Sequence, residues 1–390
     1  MAEMIAFDRV LALKAQMTEW RRTLHADPET AFEEFQTADF IARQLESFGV
    51  EVHRGLAVTG VVGVLKNGEG GMIGLRADTD ALNIQELNNF THCSKNDGKM
   101  HACGHDGHMA MLLGAAKILA ETCGFSGTVV FIFQPAEENE GGAQVMVNEG
   151  LFERFPVEEV YGLHNWPSLP AGQMAAGPGA MMAAYDTFEI VVQGRGTHAA
   201  MPHLGIDPVV AAAQIVTALQ TVTSRWVDPQ DACVVTVTQI HGGDTWNVIP
   251  DQVVLRGTTR WFNPDLGARL EKVLTDTAVG AGKLLGCEIE VSYTARYPAT
   301  INAPAQANIC AEVMTELVGD DKVLRDPVPS MAAEDFAFML EKKPGSYVWL
   351  GTGTDPDCPK LHSPHFDFND EMLTLGTAYW VRLAERLLAS

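Results

Sequence analysis

Apolar positions near the N-terminus recur with a helical period and predict a helix over residues 7–24, broken at His25-Ala-Asp-Pro28 because Pro28 cannot continue it. A second helix is expected over residues 34–48, with Ile41, Leu45 and Phe48 on one face. Strand-like runs follow at 60–65 and 72–80, the latter ending in Arg76-Ala-Asp-Thr-Asp80. The apolar run 109–119 reads as a helix, with Asp106 placed to cap it. Residues 127–133 form a continuous β-rich run, as expected of a strand covered on both faces, and Gln134-Pro135 stops it. Another strand is expected over 160–166, and the Gly/Ala/Pro-rich stretch 171–184 reads as a connector.

The pattern changes after Tyr185. Strands at 187–193, 232–240, 252–260 and 288–295, with helices at 207–225 and 264–285, run in the order βαββαβ. That order suggests a separate small α+β unit of ferredoxin-like type. From residue 324 the material is α/β again, with a strand at 347–350 and a loop Gly351-Thr-Gly353 that matches no phosphate-binding pattern. The expected fold is α/β. A larger domain with a mostly parallel open sheet spans residues 1–184 and 299–390, interrupted by the small unit over 185–298. A length of 390 residues exceeds one ordinary core and fits two domains.

Composition narrows the partners. Fifty acidic residues against 27 basic ones give a net charge of −23, which argues against nucleic acid or an anionic membrane as a partner. No apolar run is long enough to span a bilayer, and the charged N-terminal segment reads as an amphipathic helix rather than a signal peptide. Seven scattered cysteines (Cys93, Cys103, Cys123, Cys233, Cys287, Cys310 and Cys358) do not look like a disulfide framework. A reducing cytoplasm is the expected setting.

The chemistry concentrates in His101-Ala-Cys-Gly-His-Asp-Gly-His108. Cys and His are common metal ligands, and a single one is more often a packing residue, but four metal-capable side chains this close are hard to explain as core. Cys103 and His105 are two apart, wrong for one helix face but suited to a tight turn bent at glycine. Acids at the ends of apolar strands point the same way, since open α/β sheets place ligands beyond the carboxyl ends of their strands. For one of Asp78 and Asp80 a turn or cap role is expected. Glu137 and Glu138 follow the buried strand; adjacent carboxylates point apart, so one can hold a metal while the other takes a proton from water. His164 ends the next strand and is the candidate fourth ligand; in Leu361-His362-Ser-Pro-His365 a late histidine could close the site. The pairs Glu33-Glu34 and Glu158-Glu159 read as solvated faces.

These motifs resemble the amidohydrolase subfamily of the M20 metallopeptidases, which holds hippurate hydrolases, bacterial N-acyl amino acid amidohydrolases and plant auxin-conjugate hydrolases. The resemblance spans nearly the full length. It rests on Arg21-Arg-x-x-His25-x-x-Pro28-Glu29, Leu75-Arg-Ala-Asp-x-Asp-Ala-Leu82, the 101–108 turn, Phe133-Gln-Pro-Ala-Glu-Glu138, Gly162-Leu-His164, Gly196-Thr-His198-Ala-Ala-x-Pro202, Asn247-Val-Ile-Pro250 and Glu334-Asp-Phe336. It implies that Cys103, His105, Glu138, His164 and His362 bind two divalent metal ions (Zn, Mn, Co or Ni) and that Glu137 is the general base. Asp78 stands at the acid of the family's His-x-Asp motif and joins the catalytic set; Arg76 replaces that histidine and cannot ligate. Cys103 stands where the wider family has a bridging aspartate. His198 resembles the lid histidine that reaches a neighbouring subunit's site, which implies a homodimer or homotetramer. Asn247 and Arg260 match substrate-contacting positions, and Arg260 could pair bidentately with the carboxylate of an N-acyl amino acid. Asn83 departs from the pattern, standing where many relatives have Pro.

The expected function is dinuclear metal-dependent hydrolysis of N-acyl L-amino acids, of the hippurate or N-acetyl type. A dipeptidase or N-carbamoyl amino acid hydrolase on the same machinery is the near alternative. Cys103 as a nucleophile, or a metal-binding protein without catalysis, are the readings from other classes.

Overall fold

The computed structural model describes residues 2–138 and 140–389. Its contacts divide the chain into two compact units: one holds the chain up to Met181, Ile301–Val328 and the chain from Asp335; the other holds Met182–Thr300 and Pro329–Glu334.

The larger unit is built on an eight-stranded mixed sheet. In spatial order its strands are Glu51–Leu56, Gly60–Asn67, Gly127–Gln134, Met72–Asp78, Glu159–Pro170, Gly345–Gly353, Met174–Ala175 and Val323–Leu324. The four long central strands, from Gly127–Gln134 to Gly345–Gly353, are parallel to one another. Every residue of Gly127–Gln134 is buried, which explains why its sequence does not alternate. Register pairs Asp78 with Gln134 and Trp349 with His164, so these strands end on one side of the sheet. Helix His105–Thr122 connects two of them and packs between helices Ala2–Ala26 and Leu373–Leu387. Met109, Leu112, Leu113 and Leu119 on this helix are fully buried with Phe131, Phe133 and Trp380 in one apolar cluster. Burial of such a side chain contributes roughly 1.5–3 kcal/mol.

The smaller unit is a four-stranded antiparallel sheet, in spatial order Cys233–His241, Gln252–Trp261, Ala184–Gln193 and Glu288–Tyr297. Strand Ala184–Gln193 alternates buried and part-buried positions. Its inward Phe188, Ile190 and Val192 pack with helices Pro208–Thr221 and Pro264–Leu284. Both helices start at a side-chain cap with proline next: Asp207 accepts from the amides of Val209 (2.8 Å) and Val210 (3.3 Å), and Asn263 from that of Asp265 (3.0 Å).

Four local expectations change. Strand Glu51–Leu56 carries no hydrophobic signal because it is a mostly exposed edge. The stretch 171–184 is not a plain connector: Met174–Ala175 adds a strand to the large sheet, too short for any periodicity to show. Gly351-Thr-Gly353 continues strand Gly345–Gly353 instead of forming a loop. Glu34 is 1% exposed, not part of a solvated face, while Glu33 reaches out to Lys99 (3.0 Å).

Candidate metal centre

The 101–108 segment bends at Gly104, whose φ is +93° and where a Cβ would lie 2.3 Å from Asn165 Oδ1, so only glycine fits. Helix His105–Thr122 starts there. Gly104 is its N-cap, and no side chain caps it. Asp106 therefore does not cap; it lies buried in the first turn and faces the N-terminal helix. His25 Nδ1 is 2.8 Å from Asp106 Oδ2, and Arg21 Nη1 is 3.5 Å from the same oxygen. Arg21 also donates to Asp367 (2.6 Å) and Asp370 (2.7 Å). The family-like residues Arg21 and His25 thus tie the histidine-rich turn to the loop after His362. Burial opposes charge on His25, but hydrogen bonds to Asp106 and Glu86 outweigh it and push the ring up to about 9. Asp106 is held well below the usual carboxylate range: burial opposes its ionisation, and His25 and Arg21 overcome that.

Ligating atoms of Cys103, His105 and Glu138 lie within 4.8 Å of one another. Cys103 Sγ is 3.4 Å from His164 Nε2, and His362 Nε2 is 3.1 Å from Glu138 Oε1. His105 gives Nδ1 to the Asp80 carbonyl (2.8 Å), and His164 gives Nδ1 to the Asn165 carbonyl (2.7 Å). Each ring therefore turns Nε2 to the shared space, the arrangement that orients metal-ligating histidines. His105 Nε2 is buried with no hydrogen-bond partner. The amide of His362 donates to the Ala102 carbonyl (2.8 Å), which brings this late histidine beside the turn.

The electrostatics favour a cation. Burial, then the charges of Glu138, Glu137 and Asp78, push the Cys103 thiol well above its usual range. Burial opposes charge on His105, but Asp78 and Asp80 pull that ring up to about 10. His164 is driven well down, by burial first and by His108 next, and stays neutral. A thiol, carboxylates and imidazoles packed this closely suit divalent cations, which favour the thiolate and the neutral rings. The donor set thus fits such ions.

Asp78 is buried between Arg76 (2.8 Å) and His108 Nδ1 (2.5 Å), and its Oδ2 is 3.7 Å from His105 Nε2. Burial opposes its charge, yet His105, His108 and Arg76 hold it well below the carboxylate range. His108, which sequence reasoning did not single out as a site residue, stands among Asp78, His105 and His164 and also meets Asn165 Oδ1 (2.6 Å). Its spacing of three from His105 was the available signal, since i and i+3 share a helix face. Asp80 is the structural member of its pair: its two oxygens accept the amides of Glu137 (3.0 Å) and Glu138 (2.9 Å). Glu137 is buried, and its carboxylate lies within 4.8 Å of that of Asp335.

The remaining candidates belong to the smaller unit. His198, exposed on Thr197–His198, pairs with Val248; its Nδ1 accepts from the Ala200 amide (3.1 Å). Asn247 adjoins it, its carbonyl accepting from the Ala199 amide (2.9 Å). Arg260 lies 4.1 Å over the Tyr185 ring and donates to the Thr259 carbonyl (3.1 Å), with no ion pair among the described residues. It lines a groove of about 530 Å³ on the sheet together with Tyr185, Arg256 and Arg296.

A profile described as Peptidase family M20/M25/M40 matches residues 74–386. The chain is 38% identical over 380 residues to a hippurate hydrolase of Campylobacter jejuni, covering 97% of this chain and 98% of the relative. It is 38% identical over 385 residues to an N-acetyl-L-cysteine deacetylase of Bacillus subtilis, covering 97% and 89%. Among solved structures, a Bacillus subtilis protein described as a dinuclear metal binding peptidase from the M20 family superposes with a TM-score of 0.85 at 35% identity, covering 97% of this chain and 99% of that one.

Proposed function

Since the chain belongs to peptidase family M20/M25/M40, we propose that it hydrolyses the amide bond of N-acyl L-amino acids, of the hippurate or N-acetyl type, using water activated by two divalent metal ions. The observation that carries this reading is the paired use of Nδ1. His105 and His164 each bind a backbone carbonyl through Nδ1 and turn Nε2 toward Cys103 and Glu138.

Cys103, His105, Glu138, His164 and His362 hold the ions in this reading. The ions supply Lewis acidity to water and to the scissile carbonyl. Asp78 holds His108 and faces His105, so it acts by orienting imidazoles. Glu137 accepts the proton of the attacking water and delivers it to the departing nitrogen. Arg260, half buried and in no ion pair among the described residues, is suited to a substrate carboxylate. His198 is the donor to the tetrahedral oxygen, with Asn247 beside it. A nucleophilic Cys103 is disfavoured, because catalytic thiols have lowered pKa values and this one is pushed up.

His198 serves a neighbouring subunit in this reading, so the protein is a homodimer or homotetramer. Exposed Trp246 and Val248 at the His198 ladder support an apolar interface there. No helix among the described residues is long and apolar enough to cross a membrane.

Chelation followed by metal addition tests the proposal. Activity on N-benzoyl and N-acetyl amino acids should fall by more than about a hundredfold and return with Zn, Mn, Co or Ni. Full activity in verified metal-free protein sinks it. Cleavage of dipeptides alone in the same panel moves the assignment to the dipeptidase alternative.

A further inference from the structure

Resting on Glu137 as the base, we propose that Glu34 is a positioning residue for the loop that carries Glu137 and Glu138. Its buried carboxylate holds the Ala136 amide, and with it the left-handed backbone turn that aims the two glutamates apart.

Glu34 precedes helix Phe35–Ser47 at the N-cap position, yet its side chain makes no cap. Glu29 does that work, accepting from the amides of Gln36 (3.2 Å) and Thr37 (2.9 Å). The Glu34 carboxylate is thereby left to turn inward. Thr59 Oγ1 donates to its Oε2 (2.6 Å), and the Ala136 amide donates to its Oε1 (3.0 Å). The next two amides, of Glu137 and Glu138, go to Asp80. Three successive N–H groups of one loop are thus held by two buried carboxylates.

Ala136 has φ +56°, a conformation that a residue with a Cβ avoids unless its surroundings impose it. The Glu34 bond falls on this residue. Asp80 fixes the two amides beyond it and the Gly142 amide holds the Ala136 carbonyl (2.9 Å), so losing Glu34 frees the N–H side of the strained turn while leaving the Glu138 anchor in place. Burying a carboxylate is costly unless it is well hydrogen-bonded, and charge-assisted bonds to amides are the stronger kind. A glutamine could make both contacts, since Oε1 accepts from Ala136 and Nε2 donates to the Thr59 hydroxyl.

The test uses the metal-loaded full chain, steady-state kinetics on the best substrate of the panel, and metal content. Glu34→Met fills the space but offers only a weak thioether acceptor. It should lower kcat by about tenfold, with KM within about twofold and metal content unchanged. Glu34→Gln should stay within about threefold of the wild type. Adding Ala136→Gly to Glu34→Met should recover about threefold or more, because glycine adopts this φ without strain. A merely structural role predicts no such rescue. The proposal is overturned by wild-type kcat in Glu34→Met, by a loss that appears in KM and metal content, by absent glycine rescue, or by Glu34→Gln as slow as Glu34→Met. Should Glu34→Met fail to fold, Thr59→Val, close in volume, frees the other end of the carboxylate and carries the same kcat and glycine-rescue readout. Glu137→Gln is run alongside. Turnover retained there removes the base assignment and this proposal together; turnover lost there with Glu34→Met at full rate removes only the proposal.

Discussion

His25 shows how one residue ties ionisation to the site's scaffold. Burial opposes its charge, but Asp106 and Glu86 raise the ring from 6.5 to about 9. A group raised on folding contributes stability that is fully present below the unfolded pKa and lost as pH climbs through the folded one. Stability should therefore decline between pH 6.5 and about 9, and His25→Gln should flatten that decline. Urea denaturation across this range checks it; equal slopes in wild type and variant would remove His25 as the cause. The Asp106 partner explains why the cap expected from sequence is absent. Its Oδ2 faces His25 and Arg21, and the residue stands one position inside the helix that Gly104 begins, so its carboxylate is aimed at the N-terminal helix instead of the first-turn amides.

At the scale of elements, the site depends on how closely helix His105–Thr122 meets the loop after His362. Gly107 lies in the first helical turn, and a Cβ there would fall 2.4 Å from the Phe368 ring. Gly107→Ala should cost roughly 1–3 kcal/mol, as overpacking does, and should weaken metal affinity because the displaced loop includes His362. Denaturation and metal titration read the two effects; an alanine variant unchanged in both would mean the contact yields freely. The strand ends supply the other half of the site. Parallel neighbours bring Asp78, the Glu137–Glu138 loop and His164 to one side of the sheet, as the open-sheet rule leads one to expect.

For the molecule as a whole, the main test is of the proposed cross-subunit role of His198. A His198→Ala protein mixed with a Cys103→Ala, His105→Ala protein should regain activity that neither has alone, since a hybrid dimer holds one intact metal site facing one intact His198. No recovery after verified subunit exchange would count against a shared site. Metal binding should also stabilise the fold, by about 2.7 kcal/mol per site at a free-ion concentration of 100 Kd, read as a higher unfolding midpoint.

The sequence by itself determined the elements with strong periodicity and the α/β class, and singled out candidate chemistry-bearing residues, because apolar rhythm and dense Cys/His/acid motifs are local signals. It read Cys103, His105, Glu138, His164 and His362 as one set through motif resemblance, although 259 positions separate the first from the last (362 − 103). Only the tertiary structure decided directions: which histidine nitrogen faces the site, that Asp80 supports the paired glutamates, that His108 stands among Asp78, His105 and His164, and that Glu34 points inward instead of to water. A charged residue's exposure and a side chain's partner depend on segments far away in the chain, and no local pattern encodes them.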